Sequence, residues 1–125
     1  MEVGQPLPEH VVDVRPEPMK VVAALLRDPN MIHLDPDVTA ALGMGRRVVN
    51  QAPLNIGYIH TMLEAFGSVR SSSFRLLGNV VAGDRVVAGG RVVAVDGDLV
   101  TCEVWLDVVG GVRAVSGTAV VCLGR

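Results

Sequence analysis

The chain has 125 residues and a net charge of −2, and half of it is hydrophobic although only 3% is aromatic. That length suits one domain, residues 1–125, with a core built from Val, Leu, Ile, Ala and Met. The charge supplies no basic field for a nucleic acid and no apolar run reaches membrane-spanning length, so neither partner is expected. Cys102 and Cys122 sit in apolar, strand-like runs without metal-ligand spacing. They read as buried free thiols in a reducing compartment, and no metal is expected. Residues 1–18 are polar and proline-broken, unlike a leader segment. The expectation is a soluble, cytoplasmic chain.

Residues 1–9 carry Gly4, Pro6 and Pro8 and predict an extended entry. Residues 10–14 predict a short strand, stopped by Pro16 and Pro18. Glu17-Pro18 suits a helix start, and residues 19–26 predict a short apolar helix. Asp28-Pro29 ends it, because the residue before a proline is pushed out of the helical region. Residues 27–36 then gather two carboxylates, a histidine, an asparagine and two prolines into one irregular stretch. Polar groups on irregular backbone are where site chemistry tends to be found.

Asp35-Pro36 predicts an N-cap with proline at the first helical position, opening a brief helix over 37–42. Gly43-Met44-Gly45 closes it. Residues 46–51 form a connector containing the apolar pair Val48-Val49. Residues 53–66 predict the longest helix, with an apolar arc of roughly 200° that the rest of the chain must cover. Asn55 falls inside that arc. It either finds a buried partner or faces a ligand or a neighbouring subunit.

Four strands are predicted beyond it, over residues 70–81, 84–95, 99–109 and 112–123. Gly83-Asp84, Asp96-Gly97-Asp98 and Gly110-Gly111 separate them, and Gly and Asp tolerate the positive φ that tight hairpins need. Gly89-Gly90 predicts a bulge or bend within the second. One buried helix followed by long valine-rich hairpins predicts an α+β fold, with an antiparallel sheet curled around the helix.

Asp28, Asn30, His33 and Asp35 stand in register with a signature that reads roughly Gly-Asp-x-Asn-Pro-x-His followed closely by an acid. The segment thereby resembles the MaoC-like (R)-specific enoyl-CoA hydratases and dehydratases of the hot-dog fold. Residues 49–54 loosely match the apolar-His-Gly-x-Leu segment that opens the family's central helix. Residues 79–84, with Gly90-Arg91-Val92, look like its strand–Ala-Gly-Asp–strand hairpin. The resemblance spans roughly residues 17–123. Departures fall at Arg27 for Gly, Met31 for Pro, and Gln51-Ala52 for His-Gly.

The resemblance implies a hydro-lyase that adds water to a trans-2-enoyl thioester, or removes it from a 3-hydroxyacyl thioester. Asp28 would be the base that activates water, His33 its partner in proton transfer, and Asn30 the residue that orients the water or the pair. Such chemistry also needs the thioester carbonyl polarised, and helix N-termini offer unpaired N–H groups for this. Pro53 has no N–H, so Ala52 or Leu54 must donate. The substrate would be an acyl-CoA or acyl-carrier-protein thioester. Coenzyme A is then part of the substrate, and no separate cofactor is expected.

The departures point to a divergent branch, one for bulky lipid or steroid side-chain acyl groups, or to one subunit of a mixed assembly. A homodimer, or a heteromer with another hot-dog subunit, would cover the apolar sheet face and its edges. The alternatives are a non-catalytic or co-catalytic subunit of a heteromeric hydratase, and an acyl-CoA thioesterase. For the last, Glu64 is the one acid on the long helix. His10 and His60 read as ordinary surface histidines, Arg46 and Arg47 as salt-bridge formers, and Trp105 as core or dimer contact.

Overall fold

Five strands form one antiparallel sheet in the order β1-β3-β4-β5-β2. A computed structural model describes residues 1–28 and 30–124. The strands are β1 (His10–Asp13), β2 (Gly67–Leu76), β3 (Arg85–Asp96), β4 (Leu99–Val108) and β5 (Arg113–Leu123). The helices are α1 (Pro16–Leu26), α2 (Pro36–Ala41) and α3 (Ala52–Glu64), with a single 3₁₀ turn at Met31–His33. Helix α3 touches all five strands, so the sheet curls around it. This is the hot-dog architecture, an α+β fold as the sequence predicts. No helix among the described residues is long and apolar enough to cross a membrane.

Alternation in β4 shows how the sequence makes this core. Val100, Cys102, Val104 and Leu106 are fully buried on one face, whereas Thr101, Glu103, Trp105 and Asp107 lie on the other. Successive side chains of a strand point to opposite faces, and burying each Val or Leu contributes about 1.5–3 kcal/mol. Val86, Ala88 and Val92 of β3 and Val115, Ala119 and Val121 of β5 extend the same inner face. They meet Ile59, Met62 and Leu63 of α3 in one core cluster. The buried stripe of α3 is Asn55, Ile59, Met62 and Leu63, at helical spacing and narrower than its apolar arc. Both thiols are free and buried, and burial pushes that of Cys102 up.

Three sequence expectations change. The first long strand stops at Leu76 rather than continuing to residue 81, and β2 pairs with β5 rather than β3. Gly83-Asp84 is therefore no hairpin. Residues 77–84 carry the chain from β2 at one edge of the sheet across to β3, which lies inside the other edge strand, β1. The hairpins at residues 97–98 and 109–112 do form. Second, Gly89 and Gly90 stay in register with Trp105 and Val104, and the irregularity falls between Val92 and Ala94. The glycines serve close approach instead. A Cβ on Gly89 would lie 2.7 Å from Trp105 Nε1, and one on Gly90 would lie 2.6 Å from the Glu103 carbonyl oxygen. Third, α1 begins at Pro16, since prolines in a first turn remove only N–H groups that have no helical partner.

Candidate active site

Helix α1 delivers Asp28. Arg27 adopts the left-handed conformation, φ 50° and ψ 42°, and it is the one non-glycine with positive φ among the described residues. The N–H groups of Arg27 and Asp28 turn back onto Ala23 and Ala24 carbonyls, closing the helix C-terminus. The chain leaves the helix axis there and turns Asp28 toward the 3₁₀ turn. What the sequence assigns to Pro29 lies outside the described residues. Asn30 N–H donates to Asp28 Oδ1 at 3.0 Å, which occupies one carboxylate oxygen and leaves Oδ2 free for other partners.

His33 ends the 3₁₀ turn, and a remote carbonyl fixes its ring. Nδ1 lies 2.6 Å from the carbonyl oxygen of Val49. A carbonyl can only accept, so Nδ1 carries the proton and Nε2 of the neutral ring is an acceptor. Nε2 faces Asp28 Oδ2 at 3.4 Å. Two acceptors so placed can be bridged by the two protons of one water. If the ring is protonated, the same geometry makes an imidazolium–carboxylate pair. The His33 side chain is 11% exposed and that of Asp28 is 32% exposed, so the pair is reachable from one side.

Val49 owes its position to pairing distant in sequence. Its N–H donates to Ile32 C=O at 2.8 Å, Asn50 N–H to Val80 C=O at 2.7 Å, and Ala82 N–H to Val48 C=O at 3.0 Å. Residues 48–50 are thus clamped between the 3₁₀ turn and the crossing segment. This makes the connector the back wall of a cleft of about 670 Å³. Arg27, Asp28 and His33 line it together with Asn50, Gln51 and Ala52 and with Leu76, Gly78 and Asn79. A second hollow, of about 500 Å³, lies on the outer face of the sheet around Trp105 and Arg113. It contains neither Asp28 nor His33.

The other expected site residues fall as follows. Asn30 is exposed, and its side-chain oxygen accepts from Ile32 N–H at 3.2 Å. It thereby caps the 3₁₀ turn that carries His33, while its own N–H steadies Asp28. It acts on the pair through the backbone. Leu54 is a correction: its N–H donates to Gln51 C=O at 3.1 Å and is not free for a ligand. Ala52 is the first residue of α3 and lines the cleft, and its N–H has no partner among the described residues. Glu64 is exposed at the far end of α3 and is not part of the cleft wall. His60 sits beside Ser72 and Phe74, Arg46 pairs with Asp37, and Arg47 lies 3.7 Å from Asp84. No group of three or more potential metal ligands occurs among the described residues.

Sequence reading missed the amides at the back of the cleft. Asn55 does find a buried partner, since Asn50 Nδ2 donates to its Oδ1 at 2.9 Å. Asn50 Nδ2 also donates to Tyr58 Oη at 3.0 Å. Gln51 Nε2 donates to the Met19 carbonyl at 2.8 Å and ties the start of α3 to α1. Two amides in a row inside an apolar connector were the available signal.

Solved structures of similar fold include (R)-hydratases and MaoC-like dehydratases, the family that the Asp28–Asp35 segment resembles, and, at 16% identity, a fluoroacetyl-CoA-specific thioesterase. An (R)-hydratase from A. caviae involved in PHA biosynthesis is 27% identical, with 98% of this chain and 97% of that one covered at a TM-score of 0.86. The ChsH1–ChsH2 complex from Mycobacterium tuberculosis matches at 25% identity, covering 98% of each chain, with a TM-score of 0.78. The MaoC-like dehydratase from Rhodospirillum rubrum shares the fold at 18% identity, with 100% and 95% covered and a TM-score of 0.73. No protein-family model matches the sequence, and no curated protein does.

Proposed function

We propose that the chain is a hydro-lyase that adds water to a trans-2-enoyl thioester, giving a 3-hydroxyacyl thioester, or runs the reverse dehydration. The observation that carries this reading is the facing pair, Asp28 Oδ2 and His33 Nε2 at 3.4 Å, at the wall of an open cleft. A water held by both loses a proton to one of them as its oxygen bonds to C3. The electron pair of the double bond moves toward the thioester carbonyl, and C2 then takes a proton from the protonated group. Negative charge develops on the carbonyl oxygen meanwhile. The free N–H of Ala52, at the positive end of the α3 dipole, suits that oxygen. General acid–base catalysis of this kind contributes about 10²–10⁴-fold.

The similar (R)-hydratase supports the reaction class, and coenzyme A or a carrier-protein arm would bring the acyl group. The ChsH1–ChsH2 complex supports assembly with a second hot-dog chain, identical or not. Hydrolysis of the thioester finds less support, because Glu64 lies away from the cleft. Purified protein is mixed with crotonyl-CoA and with longer and branched trans-2-enoyl-CoAs, following enoyl absorbance and free thiol separately. The expected result is loss of the enoyl signal without thiol release. Thiol release at the same rate would mean a thioesterase, and no change with any substrate would reject the proposal.

A further inference from the structure

The cleft has a polar floor that the water-holding pair does not use. Asn50 and Gln51 are 4% and 2% exposed, and both line the cleft. Their partners fix which way each amide faces. Asn50 Nδ2 spends its two protons on Asn55 Oδ1 and Tyr58 Oη. Gln51 Nε2 faces the Met19 carbonyl, which only a donor can do. The two amide oxygens, Asn50 Oδ1 and Gln51 Oε1, are buried and have no donor among the described residues.

A buried acceptor left unpaired is costly, and here two stand on neighbouring residues. The residues that carry them line the cleft, the side from which a donor would come. They follow directly after Val49, whose carbonyl holds His33.

We infer that Asn50 and Gln51 select the acyl group, their free oxygens accepting hydrogen bonds from a hydroxyl or amide N–H that it carries. The substrate class is then a polar, donor-bearing acyl thioester rather than a plain hydrocarbon one. This rests on the hydro-lyase reading for the reaction, but the recognition itself needs only binding. A site built to bond a hydroxyl disfavours the analogue lacking it, because its own polar groups are then left unpaired.

Saturated acyl-CoA ligands bind without turning over and serve as probes. Straight chains of increasing length, each ending in either a hydroxyl or a methyl, are titrated calorimetrically into the full-length protein. At one length or more the hydroxyl ligand is expected to bind about tenfold tighter or better. Asn50→Leu combined with Asn55→Leu removes both halves of the buried pair, and Gln51→Met is the independent second variant. In each, the preference is expected to shrink while binding of the methyl ligand holds or improves. Equal or weaker binding of every hydroxyl ligand by the wild type, as when resident water serves both oxygens, overturns the inference. A preference that survives both variants overturns the assignment to these residues. Turnover of enoyl-CoAs is measured beside this: hydroxyl preference without turnover removes the hydro-lyase reading and leaves the recognition standing.

Discussion

The protein has two clusters of charged side chains beside hollows of similar size, and they differ in what remains unpaired. On the outer sheet face, Arg113 holds Asp107 through Nε at 2.8 Å and Nη2 at 3.2 Å, and its guanidinium stacks 4.6 Å over Trp105. Arg91 holds Glu103 through Nε at 2.9 Å and Nη2 at 2.8 Å, both on Oε2. Both acids there, Asp107 and Glu103, answer a guanidinium on the next strand, which suits a sheet surface. At the cleft, backbone groups fix Asp28 and His33 but leave Oδ2 and Nε2 to face each other, and Ala52 N–H has no partner among the described residues. A cluster that satisfies itself stabilises the fold. One that is held in place with bonding capacity left over can act on something else.

The largest expected effect separates the two clusters. His33→Ala removes the ring that completes the water site, and its hydration rate falls by about 10²–10⁴-fold. Arg113→Ala leaves that rate within about twofold, since its partners lie outside the cleft and distant, unconnected sites act independently. Steady-state kinetics on both variants make the comparison. Equal losses would dissolve the distinction.

Ala52→Pro sharpens it by deleting one N–H. Gln51 already holds φ −67° and ψ 147°, a conformation compatible with a following proline. Proline at the first helical position keeps the helix intact. Loss of one oxyanion donor lowers kcat by about 10²–10³-fold. An unchanged kcat, with the helix intact by circular dichroism, would reassign the donor.

Gly90→Ala tests the sheet rather than the site. Its Cβ would meet the Glu103 carbonyl at 2.6 Å and Leu7 Cδ1 at 2.9 Å, and backbone cannot step aside. Overpacking of this kind destabilises by about 1–3 kcal/mol, read as a lower thermal midpoint. Arg113→Ala costs less, about 0.5–1 kcal/mol for a half-exposed stacking and ion-pair contact.

The smallest effect concerns acid. The Arg85 guanidinium hydrogen-bonded to Asp13 holds that carboxyl below the usual carboxylate range, and the pair is fully exposed. A folded-state pKa below the unfolded one gives stability that is present above the unfolded value. It is lost as pH falls through the folded value. Arg85→Ala should therefore lower the midpoint slightly at neutral pH and leave it unchanged below the folded pKa, which flattens the acid limb of a midpoint-against-pH curve.

Local signals and remote pairings were not equally readable in the sequence. The hairpins at residues 97–98 and 109–112, the period-two burial of β4 and the Asp35-Pro36 cap follow from neighbours in the chain. The spacing of Asp28, Asn30 and His33 could be seen too, because one turn sets it. That residues 77–84 cross the sheet could not be read, since β2 looks equally able to pair with β3 or β5. Nor could the clamp on Val48, Val49 and Asn50, which depends on residues 32 and 80–82 arriving from elsewhere. That clamp determines the tautomer of His33 and the burial of Asn50.

The most direct measurement is made on Asp28→Asn. Asparagine keeps an oxygen for the Asn30 N–H and the shape of the side chain while removing the base. Affinity for a saturated acyl-CoA is measured beside the rate of enoyl-CoA consumption. The geometry predicts unchanged affinity with the rate down by about 10²-fold or more. Wild-type turnover by Asp28→Asn would contradict the central claim that this carboxylate and His33 share the reacting water.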